Sequence, residues 1–166
     1  MITFLGIFLL SLAVLVQTTI AGHMKLLHGT ADLALLTLIA LSLQERFKPI
    51  WILAAVTGLL TGLISAIPMW LMLLSYLGVS AFTHLLQLRL WQIPILVLFT
   101  TVIFGTLLIH QVSYGYLWLS GTRLNWLEGF NLITLPSILI NVVLAIPIFA
   151  IIGELIKTIS PGKREE

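Results

Sequence analysis

Residues 2–20 read ITFLGIFLLSLAVLVQTTI and contain no charged side chain. The hydrocarbon core of a bilayer is about 30 Å thick, and a helix needs roughly 20 apolar residues to cross it. The segment lacks the basic start and the A-x-A cleavage site of a secretory signal peptide, so we expect it to stay in the protein as a membrane span. This stretch therefore places the chain among membrane proteins.

The remainder of the chain repeats the pattern and leaves little for a soluble domain. Of its 166 residues, 60% are hydrophobic and 8% charged, and the mean hydropathy is +1.15. The apolar run 33–43 is short and makes a full crossing only when it is extended to 27–44. We predict an all-α membrane protein with one domain over residues 1–166, a bundle of six transmembrane helices and a tail at 157–166. The predicted spans are 2–20, 27–44, 50–67, 69–88, 93–119 and 132–156.

Basic residues are distributed unevenly between the two sides of such a bundle. One side holds only Lys25 and Arg123, and the other holds Arg46, Lys48, Arg89, Lys157, Lys163 and Arg164. Because cytoplasmic loops carry the excess of Lys and Arg, both termini are expected in the cytoplasm. If the second segment only dips into the membrane, the N-terminus lies outside, while the C-terminus is cytoplasmic in either case.

Composition excludes several kinds of site. The chain has no cysteine, so it has no disulfide, thiol nucleophile or thiolate metal site. Its net charge of +2 is too small and too dispersed for a nucleic-acid surface. The four histidines lack the i, i+4 spacing of a helix-borne metal site; they are His23, His28, His84 and His110. We predict no metal and no cofactor.

Small residues recur every four positions in the third span and therefore share one helix face. They are Ala54, Gly58, Gly62 and Ala66. Such residues let another backbone approach closely, so the face is expected to form either a helix contact inside this protein or a partner interface. Thr57, Thr61 and Ser65 form a neighbouring stripe of hydroxyl groups with the capacity to bond to another helix.

Two prolines, Pro136 and Pro147, bracket Asn141 in the sixth span. Each proline frees a backbone carbonyl one turn earlier, so kinks are predicted at both positions. Asn141 is expected to satisfy that need or to contact a neighbouring helix, and a ligand-binding broken helix is the third alternative. The preceding loop, 120–131, is rich in aromatic residues and is expected to lie at the outer membrane interface.

Asp32 is the candidate functional polar residue, because an ionisable group inside a membrane costs roughly 2.5–3.5 kcal/mol on insertion scales. The alternative is a helix start, with Thr30 as the N-cap and Asp32 at the positive end of the helix dipole. Glu154 lies three residues before Lys157, so these two are expected to pair near the cytoplasmic end.

One enzyme motif can be tested on the sequence. Gly78-Val79-Ser80-Ala81 resembles the G-x-S-x element of rhomboid proteases, which also have a six-helix core. That chemistry needs a histidine from the sixth helix to activate the serine, and the sixth span here contains none. We therefore predict no catalytic residues and no enzymatic activity.

Several stretches together resemble the MreD family of rod shape-determining membrane proteins. They are Asp32-Leu33-Ala34-Leu35-Leu36, Gly58-x-x-x-Gly62-Leu63, Ser75-Tyr76-Leu77-Gly78, Leu135-Pro136-Ser137, Asn141 and Ala145-Ile146-Pro147. Their order covers nearly the whole chain.

The resemblance implies a non-catalytic scaffold in the bacterial inner membrane. Its partner would be an MreC-like membrane-anchored protein and, through it, the transpeptidase and glycosyltransferase that build the lateral cell wall. Members of the family also resemble the six-helix substrate-binding subunits of energy-coupling-factor vitamin transporters, which supply the alternative function. Against that alternative, the first span lacks an A-x-x-x-A docking motif.

Overall fold

The computed structural model describes residues 2–21, 29–44, 50–90, 93–122 and 125–159, and the secondary-structure elements within these ranges are all helices. A π-helical turn, Phe130–Thr134, joins the last two α-helices. The α-helices are α1 (Ile2–Ala21), α2 (Leu33–Ser42), α3 (Ile50–Ile64), α4 (Met69–Leu90), α5 (Pro94–Leu119), α6 (Trp126–Gly129) and α7 (Leu135–Ile159).

Four helical segments are long and apolar enough to cross a membrane. They are Ile2–Thr19, Met69–Leu90, Pro94–Leu119 and the continuous run Trp126–Ile159. The prediction of an all-α membrane protein is confirmed at this level. Because α2 and α3 are shorter apolar helices, the count of six crossings stays a prediction.

The short helix α2 lies at the centre of the bundle. Every residue from Ala34 to Leu41 is buried, and α2 contacts α1, α3, α4, α5 and α7. At 1.5 Å per residue its ten residues are about 15 Å long, well short of the predicted span 27–44. A helix enclosed by protein does not have to reach both membrane faces, because its ends can be satisfied by neighbouring side chains instead of water.

The third and fourth helices form an antiparallel hairpin around Pro68, as their spacing in the sequence indicates. However, α3 ends at Ile64, and residues 65–67 form bends. Ala66 therefore lies beyond the helix and is exposed, so it does not share the face of Ala54, Gly58 and Gly62. The periodicity of small residues continued past the true end of the helix.

Helical structure also begins earlier than expected before the sixth predicted span. The second half of the loop 120–131 is helical, as α6 and the start of the π-turn. The Leu135 amide donates to the Phe130 carbonyl, five residues back. Pro136 follows as the second residue of α7, and it has no N–H to donate back into this turn.

Candidate functional site

The chain enters α2 through a non-helical segment, 29–32, whose backbone is held by side chains from other helices. The Thr30 amide donates to Ser137 Oγ at 3.0 Å, and the Asp32 amide donates to Asn141 Oδ1 at 2.9 Å. Non-helical backbone at membrane depth is tolerated only where protein or water satisfies its polar groups. Side chains from the N-terminal half of α7 perform that role here.

Asp32 is the N-cap of α2. Its Oδ1 accepts a hydrogen bond from the Leu35 amide at 2.9 Å, and the Tyr76 hydroxyl lies 3.2 Å from Oδ2 and 3.4 Å from Oδ1. The predicted helix start is correct, but Thr30 is not its cap. The carboxylate is partly buried and lies where the positive end of the helix dipole favours negative charge.

Asn141 connects three helices from a fully buried position. Its Oδ1 accepts from the Asp32 amide, and its Nδ2 donates to Thr106 Oγ1 at 3.0 Å. The Thr106 hydroxyl in turn donates to the Val102 carbonyl in α5 at 2.8 Å. Of the roles open to Asn141 in the sequence, contact with neighbouring helices is the one that these bonds fulfil.

Close packing accompanies these hydrogen bonds. A Cβ atom at Gly29 would lie 2.7 Å from Pro136 Cβ and 2.8 Å from the Ser137 nitrogen. Only glycine lets the segment come this near to the start of α7. Pro136 is thus a contact surface for the chain entering α2.

Two further side chains complete the cluster, and sequence reasoning gave neither of them a role. Gln17 of α1 accepts a hydrogen bond from the Ala34 amide at 3.0 Å, and Tyr76 of α4 reaches Asp32. At the other end of α2, Gln87 Nε2 donates to the Ser42 carbonyl at 2.9 Å. The sequence did contain a signal for Gln17 and Gln87: each is a long polar side chain inside an apolar span, where it needs a hydrogen-bond partner.

The small-residue face of α3 packs against α4. A Cβ at Gly58 would lie 2.6 Å from Leu73 Cα, and one at Gly62 would lie 2.8 Å from Met69 Cα. Ala54 is fully buried. Thr57 and Thr61 donate their hydroxyls to carbonyls one turn earlier in α3, those of Leu53 and Thr57. This face is therefore occupied by the protein's own backbone.

The residues considered for catalysis are not assembled in the described part of the chain. Ser80 Oγ is buried without a hydrogen-bond partner, His84 is exposed, and His110 Nδ1 lies 3.1 Å from Thr134 Oγ1. In the same ranges, no three His, Asp or Glu side chains lie close enough together to hold a metal. His23 and His28 lie outside the described residues.

At the other end of α7, Glu154 Oε1 and Lys157 Nζ are 2.7 Å apart, which confirms the predicted pair. Pro147 lies inside α7, and the carbonyl it leaves without an N–H partner is that of the exposed residue Val143.

Comparisons of the chain with protein-family profiles, with curated proteins and with solved structures found no match. Function therefore has to be inferred from the residues and their geometry.

Proposed function

We propose that this protein is a non-catalytic scaffold of the bacterial cell-wall elongation machinery that binds an MreC-like membrane-anchored partner in the inner membrane. In this proposal six segments cross the bilayer, with both termini in the cytoplasm. Helix α2 is then an inner crossing, shortened because protein surrounds it, and α3 is a crossing that continues through the bends at 65–67.

One observation carries the proposal: the stretches that resemble MreD proteins meet in space. Asp32 from the second segment bonds to Tyr76 of the fourth and, through its amide, to Asn141 of the sixth. Ser137 binds the backbone two residues before Asp32. Asp32 and Asn141 are 109 positions apart in the sequence. Their contact therefore depends on the fold and not on local sequence. It supports the view that the resemblance follows a shared architecture.

The direction of the polar groups favours a structural role over a ligand pocket. Gln17, Ser137 and Asn141 all bind backbone amides of this chain at the start of α2. A substrate-binding subunit needs polar groups that are free to orient its ligand. For this reason, and because α1 has no A-x-x-x-A motif, we do not favour the vitamin-transporter alternative.

The experiment is co-purification of the tagged full-length protein from membranes of its own organism, combined with its depletion in those cells. We expect recovery of an MreC-like coiled-coil membrane protein and rounding of rod-shaped cells on depletion. Ser80→Ala should preserve both, since the Ser80 hydroxyl has no partner to lose. A folded Ser80→Ala protein that keeps its partner but no longer supports growth would contradict the proposal, because it would reveal a reacting group. Rod-shaped depleted cells would contradict it as well.

A further inference from the structure

The face of α4 that lies against α2 is polar over three helical turns. Tyr76 contacts the N-cap of α2, and Gln87 Nε2 donates to the carbonyl of the last residue of α2 at 2.9 Å. Residues 76, 80, 83 and 87 are four, three and four positions apart, so they share one face of α4. Ser80 and Thr83 therefore lie between the two contacts, and both are buried. Hydroxyl groups thus face an apolar helix along this line.

Two hydroxyl groups in this region have no hydrogen-bond partner among the residues that the structure describes. They are Ser80 Oγ in α4 and Thr101 Oγ1 in α5, and the two residues are only 1% and 0% exposed. Other buried threonines of the bundle donate to a carbonyl one turn earlier, as Thr57, Thr83 and Thr106 do. A buried polar group without a partner destabilises a protein, so nearly all such groups have one.

Ser80 and Thr101 adjoin a junction of three helices. A Cβ at Gly105 of α5 would lie 3.1 Å from Leu35 of α2 and 3.3 Å from Val79 of α4, so α2, α4 and α5 meet there. Thr101 lies one turn before Gly105 on the same side of α5, and Ser80 directly follows Val79. Both unpaired hydroxyl groups therefore belong to residues beside this junction.

The register of α4 against α5 gives the relative height of the two hydroxyl groups. Position 79 faces position 105, and Phe82 stacks on Phe104 with ring centroids 3.9 Å apart, so the two helices run antiparallel. Thr101 is therefore level with position 83, three residues beyond Ser80, which is about 4.5 Å along the helix axis. One or two water molecules, with hydrogen bonds of about 2.8 Å, span such a separation.

We propose that Ser80 and Thr101 bind internal water, which joins α4 to α5 beside α2. Water fits these groups because it donates and accepts hydrogen bonds, as each hydroxyl does. A metal cation needs more oxygen ligands than two hydroxyl groups supply, and an unpaired ion is costly to bury. The close contacts at Gly105 leave no room beside it for a larger molecule. This site is independent of the proposed scaffold function.

Solid-state NMR of the full-length protein in lipid bilayers, with labelled serine and threonine, detects such water directly. Polarisation transferred from water at short mixing times should reach Ser80 and Thr101. It should not reach Thr57 and Thr106, which are equally buried but donate to carbonyls of their own helices. If Ser80 and Thr101 receive no more polarisation than these two controls, the water site does not exist and the proposal is wrong.

A double-mutant cycle tests whether the two hydroxyl groups share this water. Ser80→Ala and Thr101→Val should each lower the folding equilibrium constant about threefold, the average for one hydrogen bond between membrane helices. The double variant should lose no more than either single variant, because both remove the same bridge. Thr57→Val combined with Ser80→Ala is the control and should give additive losses, since Thr57 bonds within α3. Additive losses for Ser80 and Thr101 would overturn the bridge. A threefold loss leaves nearly all molecules folded, so Ser80→Ala is compatible with normal partner binding.

Discussion

The α3–α4 hairpin and the start of α2 solve the same physical problem in opposite ways. Lipid removes the hydrophobic drive between helices, so association depends on close packing and hydrogen bonds. The hairpin uses packing, with Gly58 and Gly62 almost touching the backbone of α4. The start of α2 uses hydrogen bonds, with side chains of α1 and α7 binding its amides. Substitutions that add volume should harm the first region, and substitutions that remove polar groups should harm the second.

The largest effect is expected at Asn141. Asn141→Leu keeps similar volume but leaves the Asp32 amide without its acceptor and removes the bond to Thr106. A buried unsatisfied group costs about 1–3 kcal/mol, so the free energy of unfolding should fall by about 2–4 kcal/mol. Denaturant unfolding in bicelles measures it, with Val143→Leu on the exposed side of α7 as the control. Equal stability of the two variants would show that the polar cluster contributes little.

A smaller loss is expected from added volume in the hairpin. In Gly58→Ala the new Cβ would lie 2.6 Å from Leu73 Cα, so the two helices must separate, at a cost of about 1–3 kcal/mol. Gly115→Ala in α5 is the matched control, because no atom lies within 4 Å of its Cβ position. The control should be unchanged or slightly stabilised, as alanine favours helix over glycine. Similar thermal stability of both variants would refute the packing account.

The smallest effect is expected at Tyr76. Tyr76→Phe removes a hydroxyl that lies 3.2 Å and 3.4 Å from the Asp32 oxygens, and these long bonds suggest a loss of about 1 kcal/mol. In a double-mutant cycle with Asp32→Asn the two losses should not add, because the residues share one interaction. Full additivity would mean that the Tyr76 hydroxyl acts through a partner other than Asp32.

The sequence was most informative where a local pattern determines the outcome. Apolar length indicated the membrane class, the four-residue period located Gly58 and Gly62 on one face, and the helix start near Asp32 was correct. It gave no means of joining Asp32 to Asn141, since they are 109 positions apart and meet only through the bundle. The shortness of α2 was equally hidden, because an apolar run has the same appearance whether lipid or protein surrounds it. At Ala66 the error was the opposite: the four-residue pattern of small residues continued beyond Ile64, where α3 ends.

The central claim is that side chains of α7 hold the non-helical chain before α2 inside the bundle, and that a side chain of α1 holds the first turn of α2. Amide hydrogen exchange at Thr30, Asp32 and Ala34 in the full-length protein in nanodiscs tests it most directly. We predict that all three amides exchange as slowly as those in the middle of α2, that Ser137→Ala accelerates Thr30, and that Asn141→Leu accelerates Asp32. Exchange of Thr30 and Asp32 at the rate of an unfolded chain in the unmodified protein would contradict the claim.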